Sequence, residues 1–276
     1  MTLNQMIDRY GLDKINSATK YPSILTYHEL GKKGGMTNEL CEGKEFPADD
    51  WVEITEKVDG TNSRLILTGG DYLIGSREEI VYAKGDRIKN SMIIDPVIQG
   101  LSNVLALTKT INDDILVIFG ETYGHKIQQG SKVYCVNSQK RNYRVFDIIH
   151  WTAEEFNKIM TDIPKESLST WRDNGNQAFL DTDDLSEFCR EYLVARTPII
   201  TQCRGRDIPT IAEATLSWME DIIPVSKATL DSPDEAIDLN QAFGRSEGLV
   251  IRTLDRSFIR KLRFEDYNKG KKMGWK

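Results

Sequence analysis

Apolar and polar positions follow two rhythms along this chain, and each change of rhythm marks an element. From Trp51 the period is that of strands: Val52–Thr55, Asn62–Thr68, Tyr72–Gly75 and Ile80–Ala83 are short runs rich in β-branched and aromatic residues. Gly69 and Gly70 separate the second run from the third, and a glycine pair supplies the positive φ that a two-residue hairpin turn needs. Ile115–Phe119 is a continuous apolar run, as strands buried on both faces are, and Tyr143–Ile149 is another strand, with Asp147 amid apolar neighbours. Glu247–Arg252 and Ser257–Phe264 predict two last strands, the second with alternating cations. Helical spacing fills the intervals. Leu3, Met6, Ile7, Tyr10 and Leu12 predict an amphipathic helix within residues 1–20, and the apolar positions from Ile93 to Leu107 predict one over Ile88–Thr110. Thr152–Met160, Leu185–Val194 and Ile211–Asp221 are also expected to be helical.

Composition sets the scale. With 276 residues, 39% hydrophobic and 28% charged, the chain can bury a core for one large domain or two small ones. The expectation is a single domain over 1–276, with residues 1–50 as an N-terminal extension and 151–240 as an acidic, partly helical region. No apolar run approaches the roughly 18 residues of a membrane span, and Met1–Asn4 does not open a charged-then-apolar leader, so a cytoplasmic protein without membrane contact is expected. The four cysteines (Cys41, Cys135, Cys189, Cys203) are scattered and only three histidines accompany them, which disfavours a structural zinc site.

The net charge of −6 conceals a segregation. Between Trp151 and Asn240 stand 18 Asp and Glu against 8 Lys and Arg, leaving 24 acids and 28 bases elsewhere. Arg64, Arg77, Lys84, Arg87, Lys89, Lys126, Lys132, Lys140, Arg141 and Arg144 therefore form either a basic face for phosphates or ordinary solvated side chains. The loop Gly31–Gly35 lacks a P-loop pattern and reads as solvated, as does the basic end Lys269–Lys276.

The stretch richest in candidate chemistry is Glu56-Lys57-Val58-Asp59-Gly60-Thr61-Asn62, between two strand-like runs. Lys57 and Asp59 face the same way in an extended segment. The pair reads either as an ion pair on a surface hairpin or as an amine and a carboxylate aimed into one pocket. Glu121 follows a buried strand, where a carboxylate needs a cationic partner. Asp147 and Glu247 also stand beside apolar runs, and Lys261 and Arg263 share a strand face.

In their order along the chain these residues resemble the covalent nucleotidyltransferases, the superfamily of ATP-dependent DNA and RNA ligases and mRNA capping enzymes. The resemblance rests on Lys57-Val58-Asp59-Gly60, Ser76-Arg77, Phe119-Gly120-Glu121, Phe146-Asp147, Glu247-Gly248 and Lys261-Leu262-Arg263. Residues Thr55–Asn62 and Gly120–Gln128 are most similar to the bacteriophage nick-sealing type of RNA ligase. Arg263 stands where that family usually has a lysine; arginine keeps the charge and adds a bidentate grip.

The resemblance implies an α+β fold, a ligase-type nucleotidyltransferase domain of antiparallel sheets with flanking helices. Only Phe264–Lys276 follow the last motif, so no C-terminal OB domain is expected in this stretch. It implies an ATP-dependent RNA ligase joining 3′-hydroxyl and 5′-phosphate ends. Lys57 would carry AMP, with Asp59, Glu121 and Glu247 positioning Mg2+ or Mn2+. A free lysine has a pKa of about 10.4, so the site must disfavour its ammonium before the amine can attack. Phe146 would stack on adenine and Glu56 would lie at its edge. Asn62 and Glu121 would sit near the ribose and the reacting phosphate. Arg77 would serve nucleotide or RNA-end binding, while Lys261 and Arg263 would grip phosphates. The implied partners are RNA ends, nicked duplex among them, and repair proteins; the expected state is a monomer in a bacterial or phage-infected cell. Two rival readings stand beside this one: an adenylyltransferase acting on a DNA end or a protein, and a non-catalytic RNA-binding relic.

Overall fold

The structure is a computed structural model that describes residues 2–83, 86–106, 114–128, 133–134, 139–230, 244 and 246–276. Lys84, Lys132 and Cys135, and the end of the helix expected over 88–110, lie outside the described residues.

The described elements begin with α1 (Leu3–Tyr10), α2 (Leu12–Ala18), β1 (His28–Leu30) and β2 (Met36–Leu40). Next come β3 (Trp51–Lys57), β4 (Thr61–Thr68), β5 (Asp71–Ser76), β6 (Ile80–Ala83), α3 (Ile94–Gly100) and α4 (Ser102–Ala106). Then follow β7 (Ile115–Gly124), β8 (Arg141–Trp151), α5 (Ala153–Asp162), α6 (Leu168–Asp173) and α7 (Thr182–Glu191). The last are β9 (Ile199–Arg204), α8 (Ala212–Ile222), β10 (Gly248–Thr253), β11 (Ile259–Arg263) and α9 (Phe264–Lys272). Among the described residues no helix is long and apolar enough to cross a membrane.

Two compact units form. The first comprises Met1–Ser23, Gly60–Tyr123 and Arg141–Arg196; the second comprises Ile24–Asp59, Gly124–Lys140 and Thr197–Lys276. The chain thus leaves the second unit for the first between Asp59 and Gly60. β3 and β4 are consequently not a hairpin: each joins a different sheet.

The first unit is built on a five-stranded sheet in the order β6-β5-β4-β7-β8. Both of its faces are covered, which explains why Leu65–Leu67 of β4 and Ile115–Phe119 of β7 read as unbroken apolar runs. Leu65, Leu67 and Ile118 point to Val97 and Leu101 of the α3 region, while Ile66, Val117 and Phe119 point to Met6, Ile15 and Phe156 of α1, α2 and α5. Each such side chain, fully buried, contributes about 1.5–3 kcal/mol. Gly69 and Gly70 turn β4 into β5 with φ of 54° and 80°, as their pairing predicts. Arg64 is a correction to the basic face: it is wholly buried, donating to Asn16 Oδ1 at 2.5 Å and to the Ser76 carbonyl. Burial pulls its guanidinium down to about 9, so it still carries charge at neutral pH.

The second unit holds the sheet β11-β10-β3-β9 and the ribbon β1-β2. Val52, Ile54, Leu249, Ile251 and Leu262 make one apolar face, packed on Leu216 and Met219 of α8 and on Phe264 and Tyr267 of α9. The alternate positions face the other way and are mostly polar.

Several expected boundaries move. The first helix is two, broken at Gly11 with φ 76°. The helix expected from Ile88 starts at Ile94, with Pro96 in its first turn, a position that tolerates the missing N–H. β7 runs through Glu121 to Gly124, so Glu121 lies inside a strand and not at its end. The basic end from Lys269 has exposed lysines, as expected, but it begins as the last turn of α9. Glu265 and Asp266 in the first turn of α9, with Lys269, Lys271 and Lys272 in the last, complement the helix dipole.

Candidate active site

On the second unit, strand register assembles a polar face. Lys57 and Arg263 both pair with Gly248, one on each side; Thr55 and Lys261 flank Val250 in the same way. Cross-strand partners share a face, and strands lie about 4.8 Å apart. Lys57, Lys261 and Arg263 therefore project from one face, and no side chain stands between Lys57 and Arg263 because the intervening residue is glycine.

Lys57 Nζ donates to Glu247 Oε2 at 2.5 Å. Burial raises the Glu247 carboxyl above its ordinary range, outweighing the opposing pull of the Lys57 ammonium, and Asp59 adds to the rise. Asp59 is likewise raised by burial, with Lys57 opposing. The backbone N–H of Asp59 donates to the hydroxyl of Tyr134, a fully buried residue whose own carbonyl accepts from Leu230 N–H at 2.9 Å. Tyr134 thereby fixes the turn that follows the lysine.

Glu56 alternates to the opposite face, as a strand neighbour must. It is 1% exposed and accepts from the Ser226 hydroxyl at 2.5 Å and the Lys227 N–H at 2.8 Å. Arg263 forms a bidentate pair with the buried Asp266, Nε to Oδ2 at 2.6 Å and Nη2 to Oδ1 at 3.0 Å. A lysine could not make that fork, which accounts physically for the arginine. Lys261 is held through its backbone, whose N–H and carbonyl bond to Leu25 and Tyr27.

On the first unit, Asn62 and Glu121 are register partners on β4 and β7. Asn62 Oδ1 is a buried acceptor with no hydrogen-bond partner among the described residues. Gly60 is required by close approach: a Cβ there would strike the Thr122 carbonyl and the Glu121 side chain. Phe146 on β8 packs edge-on against Tyr21 with centroids 5.0 Å apart, and the Tyr21 hydroxyl donates to buried Asp147 at 2.8 Å. Arg77 is largely exposed in the β5–β6 turn beside Glu78.

Of the carboxylates expected to position a metal, Asp59 and Glu247 lie together on the second unit and Glu121 lies on the first. Among the described residues no three candidate ligands gather. The donor set fits a hard cation held by one or two carboxylates, with water and phosphate completing its shell, as magnesium is commonly bound. Tyr134, Asp266 and Ser226 are the residues that motif spacing misses. Only Asp266 had a signal, its i,i+3 spacing from Arg263 before a helix.

The family model described as RNA ligase matches residues 50–268. No curated protein matches. Among solved structures, a mutant of Naegleria gruberi RNA ligase with ATP and Mn superposes with a TM-score of 0.52 at 15% identity, over 91% of this chain and 58% of that one. An apo mutant of the same ligase gives 0.55 at 14% identity, over 92% and 58%. An archaeal ATP-dependent RNA ligase gives 0.53 at 16%, over 91% and 50%. The chain spans between half and three-fifths of these relatives' lengths and shares their fold. With the family match covering most of its length, this chain belongs to the RNA ligase family.

Proposed function

We propose that this chain is an ATP-dependent RNA ligase that joins an RNA 3′-hydroxyl to a 5′-phosphate through lysyl-AMP at Lys57. The observation that carries this reading is the sheet face on which Lys57 meets Glu247 beside Lys261 and Arg263. A relative of the same fold solved with ATP and Mn supports those two ligands here.

Lys57 must lose a proton before it attacks. Glu247 is placed to take it, since a carboxyl raised by burial is a better acceptor than a solvated one. The freed amine forms a P–N bond to the α-phosphorus of ATP as the P–O bond to pyrophosphate breaks. Transfer to the RNA 5′-phosphate reverses the bonding at Lys57: a P–O bond forms, the P–N bond breaks and the amine is restored. Attack by the 3′-hydroxyl on the activated end then expels AMP. Lys261 and Arg263 supply fixed positive charge for the phosphate oxygens, and Asp266 keeps Arg263 oriented. The unpartnered Asn62 Oδ1 suits a ribose hydroxyl, and Phe146 offers an aromatic face for adenine. Asp59 and Glu247, both on the second unit, are the carboxylates that would hold Mg2+ or Mn2+, which when bound neutralises phosphate charge; Glu121, on the first unit, is a further carboxylate to which the resemblance gives this role. Glu56 acts from behind the strand by fixing Ser226 and Lys227.

The test is strand joining with ATP and manganese or magnesium, using RNA strands presented single-stranded and across a nick in a duplex. Joined product is expected with the wild type and none with Lys57→Ala. Product from the mutant, or none from the wild type on either substrate, contradicts the assignment. Transfer of AMP to a DNA end in place of RNA moves it to the adenylyltransferase alternative.

A further inference from the structure

The loop between β1 and β2 and the end of α9 are distant in sequence and pack backbone to backbone. A Cβ on Gly35 would lie 2.8 Å from Gly270 N, and one on Gly31 would lie 2.8 Å from the Lys276 carbonyl oxygen. Gly270 is itself pressed against the Met36 carbonyl and the Trp275 ring. Trp275 N–H donates to Gly270 O at 2.9 Å, and its ring meets Tyr267 with centroids 6.4 Å apart. These approaches admit no side chain on the glycines, and they set Lys32 and Lys33 beside Lys271, Lys272 and Lys276.

All five lysines are exposed. None makes an ion pair among the described residues, whereas neighbouring Lys269 is answered by Glu265 at 2.8 Å. The exposed acids of the ribbon, Glu29 and Glu39, lie on its strands and not in the loop. Adjacent like charges repel one another even in water. A concentration of five, on a chain whose net charge is −6, is a standing cost that an external polyanion relieves.

We infer that this lysine cluster is a docking surface for the RNA sugar-phosphate backbone. The choice of RNA among polyanions rests on the ligase reading. The position of the cluster fits it: α9 starts directly after Arg263, and its nine residues rise about 1.5 Å each, so the cluster stands about 13 Å along the helix from the phosphate-gripping face. Lysines act there as point charges and carry no sequence information, so the contact is sequence-independent.

The test is the Lys32→Ala/Lys33→Ala/Lys271→Ala/Lys272→Ala variant of the full chain, with the corresponding four Lys→Arg changes as control. Binding of a 5′-phosphorylated RNA oligonucleotide is followed by fluorescence anisotropy from about 50 to 200 mM salt. The slope of log K against log salt is expected to fall by about 3, from roughly 0.7 per phosphate contact on a single strand. The arginine control should keep the wild-type slope, and labelling of either variant by ATP without RNA should be unchanged. An alanine variant with wild-type affinity and slope overturns the surface and leaves the ligase reading intact. A wild type that takes label from ATP but binds no RNA overturns both the surface and RNA as acceptor. Failure of the wild type to take label or join strands overturns the ligase reading alone, and the salt slopes still decide the surface.

Discussion

At the scale of single residues, the site combines side chains that announce themselves with others that do not. Lys57, Asp59, Glu247, Lys261 and Arg263 are legible because they stand in the motif order of the family the chain resembles. Strand alternation also says which of them share a face. Tyr134 is different: it lies 75 residues from Asp59 and meets it only because tertiary packing brings the two together. Replacing it with Phe leaves the Asp59 N–H without its acceptor, at a cost of about 1–3 kcal/mol. Tyr134→Phe is therefore expected to lower the unfolding free energy from urea titration by that amount, with the midpoint falling and m unchanged, and to slow self-labelling by ATP. Unchanged labelling would remove Tyr134 from the positioning of the nucleophile. Glu56 teaches the same lesson from the other side. Its letter is part of the motif, yet its strand position turns it away from Lys57 toward Ser226 and Lys227.

Elements are read well where one face or both are buried. The strands from Trp51 to Ala83 were legible nearly to their ends, because period-two burial and the Gly69-Gly70 turn leave little freedom. Helices without a sharp signal were not: the stop at Gly11 and the late start at Ile94 depend on local backbone geometry that apolar spacing does not encode. Packing between elements also creates a titrating group. Buried His28 on β1 joins Nδ1 to the Tyr267 hydroxyl of α9 at 2.7 Å and Nε2 to the Thr210 carbonyl, just ahead of α8, at 3.0 Å. Burial lowers its pKa below the ordinary 6.5, opposed by the Thr210 bond. The unfolded chain then binds more protons than the folded one in the window just below 6.5, so stability rises with pH there. The contribution is complete above that value and is lost as pH falls toward the folded pKa. Urea midpoints from pH 5 to 8 should show this slope in the wild type, and His28→Gln should flatten it. An equal slope in both proteins would place the pH dependence elsewhere.

Over the whole molecule, the organising feature is that the stretch from Glu56 to Asn62 is a crossing and not a turn. β3 belongs to the four-stranded sheet, β4 to the five-stranded one, and the chain passes between units at Asp59–Gly60. The letters alone allowed a hairpin there, because a local pattern cannot say which sheet a strand joins. Charge is organised on the same scale: the acids concentrate between Trp151 and Asn240, while the lysines of the α9 end and the β1–β2 loop collect through packing invisible in composition. The ligase chemistry proposed above ties both features together, and its first step has Lys57 as the nucleophile. That step is measured by incubating the pure protein, freed of any prebound nucleotide, with α-labelled ATP and manganese or magnesium, then separating it on a denaturing gel beside Lys57→Ala. Label that survives denaturation on the wild type and is absent from the mutant is the predicted result. A wild type that takes no label, or a mutant that takes as much, would contradict the lysyl-AMP account at its root.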